Sequence, residues 1–138
     1  MTAPRPNSAI IRPPSADGDA AMAYMLLIIE PAGQRQFRTE TEGRALYERM
    51  LRYSADLRSR GLLKMSQSLK ADTGGARVRV HDHKASVVDG PFAEAKEMVG
   101  GFFLLECETR AQAIAIASEC PAAEWATVEV RELGPCFE

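Results

Sequence analysis

The chain has little of several things. Aromatic residues make up 7% of its 138 positions, with a single tryptophan, and cysteines number three. Cys107, Cys120 and Cys136 are odd in count and contain no CxxC pair, which argues against a disulfide framework and a cysteine-built zinc site. Free thiols fit a reducing compartment, so a cytoplasmic location is expected. No apolar run approaches the ~18–20 residues needed to span a bilayer, and no membrane association is expected. Basic residues do not outnumber acidic ones: 17 against 19 leave a net charge of −2. The global positive footprint of a nucleic-acid binder is therefore missing. No GxSxG, Walker A or GxGxxG in a strand-to-helix context occurs, and Gly33 and Gly43 are too scattered to cradle a phosphate. Serine hydrolases, nucleotidases and dinucleotide enzymes fall away, and no cofactor is expected.

What remains is an ordinary globular composition, 46% hydrophobic and 26% charged, at one domain's length. Four of the eight prolines (Pro4, Pro6, Pro13 and Pro14) fall in the first 21 residues, which show no apolar period. Residues 1–21 are expected to form a disordered arm and residues 22–138 the domain. Met22, just before the first strand, is an alternative start.

The periodicity predicts a strand over Tyr24 to Glu30 (YMLLIIE) and a helix over Glu42 to Ser59, striped by Leu46, Met50, Tyr53 and Leu57. Leu63 to Leu69 reads as a second strand. Arg77 to Val80 and Ala85 to Val88 read as a hairpin, with His81-Asp82-His83-Lys84 at its tip. Asp89-Gly90-Pro91-Phe92 must turn, and Gly100-Gly101 is expected to end that irregular stretch. Phe102 to Glu108 is a strand, Arg110 to about Glu119 a helix capped by Thr109, and Ala126 to Leu133 the last strand. The order β-α-β-(hairpin)-β-α-β predicts an α+β sandwich of the ferredoxin-like kind. Two helices cover one sheet face, yet YMLLI and FFLLE are apolar on both. A second copy packed sheet to sheet is the economical cover, so a homodimer is expected.

Asp89-Gly90-Pro91-Phe92-Ala93-Glu94-Ala95-Lys96-Glu97, followed by Gly100-Gly101-Phe102-Phe103, resembles the signature of the DGPF-domain proteins, a branch of the YCII-related family. The likeness runs from about Ala23 to Leu133. It implies a dimeric α+β barrel. It also implies a possible association with extracytoplasmic-function sigma factors, beside or fused to which some relatives are encoded. Better-studied relatives carry an acid–base pair, a His on the first helix and an Asp before a Pro after the second, and one is a dehydrochlorinase of chlorinated aromatic diols. This sequence departs from that pattern. Its first helix has no His, and Cys120-Pro121 stands at the Asp-Pro place. The pair is not carried over.

Candidate chemistry centres on the loop. Asp89, Glu94, Lys96 and Glu97 have two readings. One is a polar cluster at the mouth of a ligand cleft, with Asp89 or Glu94 as a catalytic carboxylate of a lyase or hydrolase and Lys96 holding an anion. The other, which is preferred, has Asp89 accepting backbone N–H bonds around Phe92 and Ala93. Arg131 on the last strand either points toward Asp89 and Glu94 or faces solvent. His81 and His83, at i and i+2, would share a strand face but lack a third ligand, so no metal is assigned. Residues 35–70 carry a net +5 and residues 71–138 a net −6. Arg49, Arg52, Arg58 and Arg60 read as a solvated helix face. The leading expectation is a small-ligand binder near the DGPF loop. A regulatory module partnering a sigma factor and a loop-carboxylate enzyme are the rivals.

Overall fold

A computed structural model describes residues 23–138; the expected N-terminal arm lies outside the described residues. Strand β1 (Ala23–Pro31) alternates strictly, with Tyr24, Leu26, Ile28 and Glu30 buried and the residues between them half-buried. Helix α1 (Glu40–Ser59) begins two residues before Glu42, because Thr39 builds a capping box. The Thr39 hydroxyl accepts from the Glu42 amide, and the Thr39 amide donates to Glu42 Oε1 at 2.9 Å. That bond holds the Glu42 carboxyl below the usual carboxylate range. Strand β2 (Leu63–Ser68) follows, then β3 (Ala76–His81), β4 (Lys84–Asp89), β5 (Glu97–Glu106), α2 (Arg110–Ser118) and β6 (Thr127–Glu132).

The four-stranded sheet has the order β2-β5-β1-β6, and all its pairs are antiparallel. With two helices on one face, this is an α+β fold of ferredoxin-like arrangement, with β3–β4 inserted as a separate hairpin. Leu26, Leu57 and Leu105 are fully buried between the layers. Tyr53 packs edge-on to Phe103 at 5.4 Å between ring centres and donates its hydroxyl to the Ile116 carbonyl at 2.5 Å. No described helix is long and apolar enough to cross a membrane.

On the face away from the helices, Met25 pairs with Leu104 and Leu27 with Phe102. These four side chains are half-buried, and no described helix covers them. The hairpin bonds only to itself. Val78 lies opposite Val87 and Val80 opposite Ala85, giving the hairpin one apolar face, and all three valines are exposed.

One local expectation is corrected here. Gly100-Gly101 does not end an irregular stretch but lies inside β5, which starts at Glu97. Ile28 pairs with Gly101 and Ile29 with Val99, so Gly100 has no partner on β1 and forms a bulge. The expected hairpin tip at His81 to Lys84 is present. Asp82 and His83 form the turn itself, both at positive φ, while His81 remains on β3.

Candidate functional site

A cleft of about 770 Å³ opens between α1 and the sheet. Burial along α1 falls off toward its N-terminus. Of the predicted stripe, Tyr53 and Leu57 are buried, whereas Leu46 and Met50 are only half-buried and line the cleft. Opposite them stand Ile28 of β1, Ser66 to Ser68 of β2, and Gly100, Gly101 and Phe103 of β5. The Ser54 and Ser66 hydroxyls approach to 3.3 Å across it.

On the floor lies a charged pair. Glu30, 4% exposed, is the one buried charged residue among those described. Strand parity puts it there, since it continues the inward row of Tyr24, Leu26 and Ile28. Arg35, in the short 3₁₀ turn Gln34–Phe37, reaches back and donates Nε to Glu30 Oε1 at 2.5 Å. Its Nη1 donates to the Leu69 carbonyl at 2.8 Å and its Nη2 to the Gly100 carbonyl at 3.4 Å. One guanidinium thus ties β1 to the end of β2 and the bulge of β5. No described donor bonds Glu30 Oε2.

The rim is cationic. Arg38, Arg44 and Arg58 line it together with Glu40. Arg44 is paired with Glu40 at 2.9 Å, and Arg38 donates to Gln34 Oε1 while its guanidinium stands 6.0 Å from the Trp125 ring centre. Arg58 makes no ion pair with any described residue. Of the other helix arginines, Arg49 leaves the solvated-face reading: it pairs with Glu124 at 2.5 Å and packs over Trp125. That bond lowers the Glu124 carboxyl and raises the Arg49 guanidinium. Arg60 pairs with Asp56 and Glu119.

The residues singled out from the sequence lie elsewhere. Asp89 ends β4 and is exposed. Its expected role as acceptor for the turn is not what closes the turn: the Gly90 amide donates to the Gly75 carbonyl, and the Ala95 amide to the Phe92 carbonyl. The preceding loop's backbone comes so close that a Cβ on Gly90 would stand 1.9 Å from the Asp72 carbonyl oxygen. The Arg77 guanidinium lies over the Phe92 ring, 4.0 Å from its centre, and a Cβ on Gly75 would stand 3.6 Å from the same ring. Glu94 and Lys96 are exposed. Glu97 borders a second, smaller cavity of about 590 Å³, also lined by Phe92, Asp72 and Arg77. Arg131 does not join them. It pairs with Met25 across β1–β6, on the face away from the helices, beside Glu129 at 3.2 Å. Glu97 lies opposite Pro31, six residues or roughly 20 Å along β1 from Met25.

At the place where the resemblance leads one to expect an Asp before a Pro, Cys120 is buried, and burial raises its thiol. Burial likewise drives the Tyr53 hydroxyl well above the ordinary phenol range. Both groups are held in their neutral, protonated forms.

The profile of the YCII-related domain matches residues 22–136. Comparison with curated proteins finds no match.

Proposed function

The chain belongs to the YCII-related family, and we propose that it binds a small organic ligand in the cleft between α1 and the sheet. The observation that carries this reading is the Glu30–Arg35 pair on the cleft floor. Burying the Glu30 carboxylate is costly even with a partly exposed arginine beside it, and well-packed apolar side chains usually stabilise a fold as well or better. An ion pair retained beneath an open cleft whose walls mix apolar side chains with a few hydroxyls has the composition of a recognition site, where a few fixed polar groups orient a ligand. The loop cavity beside Phe92 is smaller and has no buried charged residue in its lining, which favours the helix-side cleft over the loop as the ligand's place. A thermal-shift screen of a metabolite library against the wild type and Ser54→Phe tests this. Hits should stabilise the wild type and lose their effect when the phenyl ring fills the cleft. Hits that ignore Ser54→Phe count against the cleft.

We propose further that the protein is a homodimer. The support is the apolar row Met25, Leu27, Phe102 and Leu104, together with the exposed valines of the hairpin. Two twisted sheets pack face to face readily, and a two-stranded hairpin is marginal without something to pack on. Sedimentation should give twice the 15.1 kDa chain mass, and Leu104→Glu should give the monomer. A wild-type monomer at micromolar concentration overturns the dimer.

A further inference from the structure

We infer that the cleft's ligand is an amphipathic organic monoanion, bound with its apolar body inward and its charged head at the arginine rim. The inference rests on the cleft reading and adds the ligand's charge and orientation.

Three observations converge. First, the charged side chains lining the cleft are Arg35, Arg38, Arg44 and Arg58 against Glu30 and Glu40, a local net of +2 in a chain whose net charge is −2. A cleft of one sign with low-dielectric walls concentrates ligands of the opposite sign. Second, the unmatched charge lies at the rim: Glu30 is paired with Arg35 at the floor and Glu40 with Arg44 above it, whereas Arg38 and Arg58 have no carboxylate partner among the described residues. Glu30 is buried at the floor, whereas Arg44 and Arg58 are exposed at the rim. An anionic head meets a neutralised pair below and net positive charge above. Arg35 spends three of its five N–H donors on Glu30 and two backbone carbonyls, and its charge is matched by the Glu30 carboxylate, so the net positive charge that draws the head is at the rim. Third, Ile28, Leu46, Met50 and Phe103 line the space between floor and rim. Inorganic anions would leave those walls wet; an alkyl or aryl body would cover them.

The chain's single tryptophan, Trp125, lines the cleft and serves as its reporter. Octanoate and its neutral counterpart octanamide are titrated into the full-length protein while Trp125 emission is followed. Octanoate should produce a saturable change and bind about tenfold or more tightly than octanamide, as expected for one charge-assisted contact. Arg58→Gln and Arg44→Gln should each weaken octanoate several-fold and leave octanamide unchanged; raised salt should act like the substitutions. If the two probes bind equally, or neither substitution alters their ratio, the anion assignment is wrong while the cleft reading stands. If neither probe perturbs Trp125 at all, the inference falls together with the cleft reading.

Discussion

Gly100 leaves open the space that the Glu30 carboxylate occupies. A Cβ built on Gly100 would stand 2.8 Å from Glu30 Oε2 and 2.9 Å from Arg35 Nη2. The bulge that unpairs Gly100 from β1 also turns its carbonyl toward the Arg35 guanidinium and the Leu69 amide, which it accepts at 3.4 and 2.9 Å. A bare backbone in β5 and a carboxylate at the end of β1 are thus two halves of one feature.

Gly100→Ala should therefore destabilise the protein by about 1–3 kcal/mol, the usual range for forcing a methyl into filled space. In a Glu30→Ala background the same change should cost less, since the nearest obstacle is gone. Denaturant melts of the two single variants and the double variant read the coupling. Additive costs would separate the glycine from the ion pair.

The DGPF turn makes a contrasting prediction. Gly90→Ala directs its methyl at the Asp72 carbonyl, a backbone atom that cannot swing aside, and should cost about 3 kcal/mol or more. Asp89→Ala removes an exposed carboxylate that takes no part in closing the turn and should stay within about 0.5 kcal/mol of wild type. Thermal melts decide it. A collapse of Asp89→Ala would restore the carboxylate as the turn's organiser.

At high pH the buried acids dominate. Burial raises Tyr53, Cys120 and Cys107 above their ordinary values of 10.0 and 9.0. As pH climbs past about 9 the unfolded chain loses these protons before the folded one does, so stability is intact below that point and falls above it. Melting temperature should decline from pH 9 upward, and Cys120→Ala should decline less steeply between pH 9 and 10. Equal slopes would show that Cys120 ionises alike in both states.

Much of the architecture is legible in the residues. YMLLIIE and FFLLE carry the strands, the Tyr53/Leu57 end of the stripe carries the core, and Thr109 caps α2 as its type suggests, accepting from the Gln112 amide. The site was harder to read, for identifiable reasons. Glu30 looks like the polar end of an apolar run until its parity with Tyr24, Leu26 and Ile28 is counted; that count alone puts a carboxylate on the buried face. Arg35 offers no such signal, because its reach depends on the 3₁₀ turn that carries it. Adjacent glycines at 100 and 101 argue locally for a break. They are strand only because the side chains of Glu30 and Arg35 and the backbone of Gln67 fill the space beside them. Asp89 has the local chemistry of a turn acceptor, but the nearby backbone of Asp72 to Gly75 takes over that role, a contact between segments about fifteen residues apart that turn propensities do not contain.

The central claim is that the cleft under α1, and not the cavity at the DGPF loop, receives the ligand. Backbone amide chemical-shift mapping with octanoate distinguishes the two directly. The account predicts that the shifts cluster on Gly43, Ser54, Ser66 and Gly101, which line the cleft, and spare Gly74, Gly75 and Phe92 around the smaller cavity. Shifts confined to Gly74, Gly75, Phe92 and Glu97 would contradict it and return the site to the loop.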